Sequence, residues 1–378
     1  MTMTINNEHN KLNVPNLRFK EFQGEWEKCK LSEICTFFSG GTPSSSNKYF
    51  YGGDIAFIRS GELHADNTEL FITQAGFDSS SAKIVEVGDL LLAMYGATSG
   101  DIAISKIEGA INQAILCIRT KQNKKFLESI WNKHVSKILR KYLQGGQGNL
   151  SADIVKSISF SFPTLEEQER IANLISLLDE RIATQNKIIE DLKKLKFAIS
   201  HILFSSKFTN HLSYIANVVM GQSPSSNAYN DQGIGMPLVQ GNLDISNGKT
   251  TPRLYTSEFN QTAEEGNIIL TVRAPVGEVA KATKNVCLGR GVCAIIPHEE
   301  NMSDFIYQYL TFYKFMWRKY EQGSTFTSIN GSDVRNILCP EVRNVSILTL
   351  LDSKISTEER VVKLYQKQKQ YLLRQMFI

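Results

Sequence analysis

The sequence predicts an α+β protein built twice, with a long helix closing each half. Three observations carry this. Leu178, Ile182, Gln185, Ile189, Leu192, Lys196, Ile199 and Leu203 follow one another at alternating steps of four and three residues, which is a heptad seam. The seam recurs at the C-terminus as Leu351, Ile355, Glu358, Val362, Tyr365, Lys369, Leu372 and Met376 at one constant offset (351 − 178 = 173; 376 − 203 = 173), so even the polar interruptions coincide. Ahead of each helix lie short strand-like runs punctuated by glycine and proline.

Length and composition set the bounds. With 378 residues, 42% of them hydrophobic and 21% charged, the chain can build two or three ordinary cores. It has no run of about eighteen apolar residues that would span a bilayer. Residues 1–16 read as a polar tail without the apolar stretch of a secretion signal, so a cytoplasmic protein is expected. Cys29, Cys35, Cys117, Cys287, Cys293 and Cys339 stand singly with no C-x-x-C pair, which points to free thiols rather than a disulfide framework or a zinc site. A net charge of +4 permits a nucleic-acid partner without requiring one.

Taken in order, the first domain is placed at residues 17–163. Leu31, Ile34 and Phe37 open a short apolar element that runs into Ser39-Gly40-Gly41-Thr42-Pro43-Ser44-Ser45-Ser46, a turn-rich loop. Strands are expected at Ile55–Ile58, Asp89–Met94, Ile102–Ile104 and Ala114–Ile118. A helix from Phe126 to Tyr142, with Phe126, Ile130, Ile138 and Tyr142 in its apolar set, leads into Gln144-Gly145-Gly146-Gln147-Gly148-Asn149. The long helix at 164–206 opens on a capping box: the Thr164 hydroxyl accepts from the Glu167 amide while the Glu167 carboxylate reaches back, and Pro163 stops any earlier turn. A second row, Leu174, Arg181, Ile188, Leu195 and Ile202, widens the apolar stripe beyond a plain two-stranded coil. Residues 207–340 repeat the plan: Leu212 and Pro224 answer Leu31 and Pro43, Gly266 answers Gly88, and Gly323 answers Gly145. The last helix is placed at 341–378.

The scaffold positions repeat and the loops do not. Gly40-Gly41-Thr42 becomes Gly221-Gln222-Ser223, Asn112-Gln113 becomes Gly289-Arg290, and Gly146-Gln147-Gly148-Asn149 becomes Ser324-Thr325-Phe326-Thr327. Two like frames with unlike polar loops imply two similar surfaces that recognise different things. The loop side chains donate and accept as base edges and phosphates require. Arg59, Arg273 and Arg290 are candidates for guanine or phosphate; Asn112, Gln113, Gln147, Asn149, Gln222, Gln240 and Asn242 are candidates for adenine or phosphate. Gly41, Thr42, Ser44, Ser45, Lys48, Tyr95, Thr98, Ser223, Thr325 and Thr327 complete the candidate DNA-contacting set. For any single residue a solvated loop role is the commoner outcome; the set carries the expectation.

The order PNLRFKEFQGEWEKCKLSEI, SGGTPSSSNKYFYGGDIAFI, GDLLLAMYGATSGDIAI, INQAILCI and GGQGNLSADIVKSISFSFPTLEEQERIANLISLLDERI resembles the specificity subunits of type I restriction-modification systems over nearly the whole chain. The Gly-x-Thr-Pro-Ser loop and the Pro-x-x-Glu-Glu-Gln helix start are its most diagnostic parts. The resemblance implies two target recognition domains, each reading one half of a bipartite duplex DNA site. It also implies that the two helices pack as an antiparallel coiled coil that sets the spacing. About forty residues at about 1.5 Å each make a helix near 60 Å, longer than one turn of B-DNA at about 3.4 Å per base pair. As further implications, two methyltransferase subunits carry S-adenosylmethionine and methylate adenine, restriction subunits use ATP and magnesium, and this chain binds no cofactor of its own. The second repeat departs from the first: Gly289-Arg290-Gly291 stands for Asn112-Gln113-Ala114, and Pro340-Glu341-Val342-Arg343-Asn344 lacks the Glu-Glu-Gln.

Other chemistry finds little footing. The chain has no Asn/Asp-Pro-Pro-Tyr/Phe motif, no glycine-rich cofactor loop after a strand and no Walker A lysine. His9, His64, His134, His201, His211 and His298 show no metal-ligand spacing. Glu166 and Glu167 read as cap residues, and Lys194, Lys196 and the segment from Lys367 to Lys369 as a solvated flank. The competing expectation is a coiled-coil scaffold that holds two protein ligands without DNA. Salt-sensitive binding to random duplex separates the two.

Overall fold

The structure is a computed structural model in which residues 3–5, 13–142, 149–205, 208–319 and 328–378 are described. In chain order the first half contains β1 (Met3–Ile5), β2 (Leu17–Phe19), β3 (Glu27–Lys30), α1 (Leu31–Ile34), β4 (Cys35–Ser39), β5 (Tyr51–Ile58), β6 (Phe71–Ile72), α2 (Gln74–Asp78), β7 (Lys83–Val85), β8 (Leu90–Ala93), β9 (Ile102–Ile104), β10 (Gly109–Ile111), β11 (Ile115–Thr120), α3 (Lys124–Tyr142), α4 (Ala152–Ser157), β12 (Ser159–Phe162) and α5 (Leu165–Phe204). The second half contains β13 (Phe208–His211), β14 (Ala216–Met220), β15 (Tyr229–Asn230), β16 (Met236–Val239), β17 (Ile245–Ser246), β18 (Lys249–Thr250), β19 (Leu254–Thr256), β20 (Thr262–Ala263), β21 (Ile268–Thr271), β22 (Val279–Lys281), β23 (Val286–Leu288), β24 (Val292–Pro297), α6 (Ser303–Tyr313), α7 (Gly331–Arg335), β25 (Leu338–Pro340) and α8 (Ser346–Met376). Two compact units result: Met1–Thr184 with Val361–Ile378, and Gln185–Arg360, each long helix contributing to both.

In the first unit, two four-stranded sheets run in the orders β6-β5-β10-β7 and β4-β11-β8-β9. All pairings are antiparallel except β5 with β10, where Ile58 lies beside Ile111. Alternate residues of β8 and β11 (Leu90, Leu92, Leu116, Ile118) bury against Phe126, Ile130 and Trp131 of α3, as a sheet face covered by one helix requires. The Trp131 indole N–H donates to the Gly100 carbonyl at 2.8 Å. Residues 3–5, expected within a polar tail, instead pair antiparallel with β2.

The start of α5 corrects the capping box. Glu167 does donate its amide to the Thr164 hydroxyl, at 3.4 Å. Its carboxylate turns to Arg18, accepting from Nε at 2.8 Å and Nη2 at 2.7 Å. A guanidinium fork satisfies both oxygens of this buried carboxylate, which one neutral amide cannot do. Within this unit Ile171, Ile175 and Leu178 of α5 share a core with Leu372 and Met376 of α8. Asp179 accepts from Lys125 at 2.8 Å and from Lys369 at 2.5 Å. Burial opposes ionisation of Asp179, but the hydrogen bonds and charges of the two lysines prevail and hold its carboxyl below the usual range.

In the second unit the sheets are larger, in the orders β15-β19-β16-β23-β20 and β14-β24-β21-β22-β18-β17. Again the strands entering the loop region, β16 and β23, are parallel, with Val239 beside Leu288. Ile268 and Leu270 of β21 bury with Phe305, Ile306 and Tyr309 of α6, and Phe204 of α5 joins them. Gln185 donates to Glu358, and Lys196 pairs with Asp352 at 2.6 Å, so in this unit α5 and α8 run antiparallel. The seam positions Ile189, Leu351 and Ile355 are buried, and Leu192, Ile199 and Leu203 half-buried. In the first unit Val362 is buried, with Ile182 and Tyr365 half-buried.

Two expectations about the helices change. The second row widens the buried stripe only at Leu174, which packs half-buried against the first core, since Ile188, Leu195 and Ile202 are 41%, 49% and 71% exposed. The final helix begins at Ser346 rather than 341, because Asn344 accepts the Ser346 amide at 2.8 Å and fixes the start there. All six cysteines are unpaired, and burial pushes Cys117, Cys293 and Cys339 up to about 12.

Candidate nucleic-acid interface

In each unit the polar loops gather where four strands end. In the first unit these are β4, β5, β8 and β10. Because β5 and β10 are parallel, Arg59 and Asn112 leave the sheet side by side. The Gly41 amide donates to the Ile111 carbonyl at 3.2 Å, which brings the Gly40-Gly41-Thr42 loop against them. This closeness needs glycine: a Cβ on Gly40 would lie 1.7 Å from the Ile111 carbonyl oxygen. The Thr42 hydroxyl then donates to Gln113 Oε1. Met94 donates to the Ala114 carbonyl and Leu150 to the Met94 carbonyl, at 2.8 and 2.9 Å, which adds Tyr95 and Asn149 to the same edge.

Two charges shape this cluster. Arg59 gives Nε and Nη2 to Glu62, at 3.2 and 2.9 Å, and its own amide donates to the same carboxylate at 3.0 Å. That hydrogen bond holds the Glu62 carboxyl below the usual range and the Arg59 guanidinium above its own. Asn112 accepts the Ala114 amide on its Oδ1 at 3.1 Å and so shapes the turn, leaving its NH2 and one Oδ1 lone pair for a ligand. Ser44 meets the Ser46 hydroxyl at 2.8 Å; Ser45 and Lys48 are exposed on the same loop, and Thr98 is half-buried in a turn after Tyr95.

The second unit repeats the frame. Gly289 donates to the Val239 carbonyl at 2.8 Å, so Gln240 and Gly289 leave β16 and β23 together. Gly221 donates to the Val292 carbonyl and Gln222 to the Leu288 carbonyl, both at 2.9 Å, while a Cβ on Gly221 would lie 2.1 Å from the Gly289 carbonyl oxygen. The Ser223 hydroxyl accepts from the Arg290 amide at 3.1 Å and from Arg290 Nε at 3.3 Å. Val272 donates to the Gly291 carbonyl and Ile329 to the Val272 carbonyl, which sets Arg273 beside Ser328. Ser223, Gln240, Arg273 and Arg290 line one concavity of about 240 Å³. Asn242 opens the adjacent short turn, and exposed Gln222 borders the same loop.

These hydrogen bonds fix the correspondence of the two frames. Gly221 answers Gly40, Ser223 answers Thr42, Gln240 answers Arg59, Arg290 answers Gln113 and Arg273 answers Tyr95. Candidate residues Gln147, Thr325 and Thr327 lie outside the described residues. The carboxylates escaped sequence reading: Glu62, and buried Asp244, which takes the Gln240 amide at 2.9 Å and Arg253 at 3.0 Å. Their signal was position, an acid three or four residues after a strand-end reader. Tyr49, 81% exposed next to Lys48, was also passed over, and an aromatic inside a polar loop was the cue.

The family model described as type I restriction modification DNA specificity domain matches residues 23–194 and again residues 209–361. The putative type I restriction enzyme MjaX specificity subunit of Methanocaldococcus jannaschii is 27% identical over 361 residues, covering 85% of this chain and 84% of that protein. The EcoR124I/EcoR124II specificity subunit of Escherichia coli is 28% identical over 189 residues, covering 47% of this chain and 46% of that protein. In fold, the chain is similar to the type I restriction-modification S subunit from M. genitalium, with a TM-score of 0.65 at 18% identity over 97% of this chain and 99% of that one. It is likewise similar to a chain of a type I R-M system solved in a study of complex assembly and conformational transition, with a TM-score of 0.59 at 22% identity over 92% and 96% of the two chains.

Proposed function

Because the chain belongs to the type I restriction-modification DNA specificity family, we propose that each of its two loop clusters reads one half of a bipartite duplex DNA site. The observation that carries the reading is one strand-end frame, built twice by equivalent hydrogen bonds and lined by different polar side chains. Phosphate contacts from Lys48 and Arg273 give affinity, and the strand-end side chains give sequence preference. The long helices pair along their heptad seams as an antiparallel coiled coil and set the distance between the half-sites. Thr325, Thr327 and Gln147 stay in the recognition set on their place in the sequence.

The chain is a recognition subunit without chemistry of its own, and acts in the cytoplasm, where its DNA lies. Two methyltransferase subunits, carrying S-adenosylmethionine, dock on it, and restriction subunits using ATP and magnesium join through them. The exposed row Ile188, Leu195 and Ile202 on α5, with Leu350 of α8 also exposed, supports an apolar docking surface for such partners. The test is methylome sequencing of cells that express this chain with its cognate methyltransferase subunit. A bipartite motif with methyladenine in both halves, lost when this chain is omitted, is the expected result. A stable complex with no motif refutes the reading.

A further inference from the structure

We propose that the two half-sites differ by an exchange of guanine and adenine at two matched positions, because the frames exchange an arginine and a glutamine at two matched places just past the ends of the parallel strands. This rests on the DNA-recognition reading and deepens it. At the end of the β5 or β16 strand stands Arg59 in the first unit and Gln240 in the second; after β10 or β23 stands Gln113 in the first and Arg290 in the second. The same two readers occupy both frames in opposite places. Arginine forks to the O6 and N7 acceptors of guanine, and glutamine pairs with the N6 donor and N7 acceptor of adenine. The first domain therefore takes guanine at Arg59 and adenine at Gln113, and the second takes adenine at Gln240 and guanine at Arg290.

The bracing supports base edges over phosphates. Both arginines commit the Nε side to the protein, Arg59 to Glu62 and Arg290 to Ser223. What remains in each is the end-on pair of Nη1 and Nη2 hydrogens, the fork that guanine accepts. Arg59 is already neutralised by Glu62, whose carboxylate repels a phosphate and tolerates the uncharged acceptors of guanine. Gln113 lends one Oε1 lone pair to Thr42, which orients the amide while its NH2 and second lone pair remain for adenine. Arg273 lines the same concavity as Arg290 and is assigned the phosphate contact beside it.

The experiment is methylome sequencing with the cognate methyltransferase subunit for the unaltered chain, R59Q and R290Q. R290Q changes one guanine of one half-site to adenine or relaxes it; R59Q does the same in the other half-site; neither touches the half-site of the other. Should a variant fail to assemble, the unaltered complex is titrated with duplexes in which each guanine of the motif is replaced in turn by 7-deazaguanine, which lacks N7. One guanine per half-site then costs roughly ten- to a hundredfold in affinity. Unchanged bases in both variants, both variants altering one half-site, or insensitivity to every 7-deazaguanine overturns the inference while leaving DNA recognition standing. Absence of any motif for the unaltered chain overturns the underlying reading and this inference together.

Discussion

Replacing Arg18 by methionine removes four hydrogen bonds at once: two to the Glu167 carboxylate and one each to the Gly24 and Gln23 carbonyls. Glu167 is only 1% exposed, so its carboxylate stays behind without a counter-charge. Breaking one side of a buried ion pair costs about 3–5 kcal/mol, and that is the loss expected for the first unit. Replacing both partners with apolar side chains, as in R18M/E167L, leaves nothing charged to desolvate and recovers most of it. Hydrogen exchange read on peptides of β8 and β11 measures the opening free energy where the core lies. A loss below about 1 kcal/mol for R18M, or a double variant no more stable than the single, refutes the argument that this pair anchors the start of α5.

Random-duplex binding should weaken steeply with salt, and K48A and R273A should each lower the slope of log affinity against log salt by about one, read by fluorescence anisotropy. E62Q frees Arg59 from its brace: base preference in one half-site relaxes in the methylome, while random-duplex affinity rises because a negative charge has gone. Asp179 has a folded-state carboxyl pKa below its unfolded value of about 3.9, so its stabilising contribution is present above that value and is lost as pH falls through the folded one. Urea midpoints of D179N and the unaltered chain therefore differ at pH 7, and the difference shrinks as the pH falls below the unfolded value and through the folded one. A heptad inserted after Ile189, with a matching heptad after Ser356, adds about 10 Å of helix and lengthens the recognised spacer by about three base pairs with both half-sites unchanged; an altered half-site in the methylome refutes independent reading.

How much the sequence discloses depends on how local the cause is. The seam from Leu178 to Leu203 and the strands around Ile58, Leu92 and Ile118 follow from periodicity within a few turns or residues, and they stand where that pattern puts them. Pairings across long sequence separations left no such trace. Thr42 finds Gln113 across 71 residues, Ser223 finds Arg290 across 67, and Arg18 takes Glu167 across 149, the last at the expense of the local capping box. Gly40 and Gly221 read as generic turn residues, although each is required because a neighbouring carbonyl occupies the place of a side chain. The candidate loops were visible as polar departures within a repeated frame. Which of their side chains face each other was not, because strand register decides it.

The row Ile188, Leu195 and Ile202 shows where hydropathy and the folded chain part company. An antiparallel neighbour covers the side chains of its own seam, one row at average steps of 3.5 residues. Residues one position from the seam lie about 100° further round the helix and fall outside its reach. Water therefore meets three large aliphatic side chains on one face of α5, which is a cost to the isolated chain and none to a chain whose flank is covered. The exposed part of the second apolar row therefore supports the proposed docking of partners on this flank.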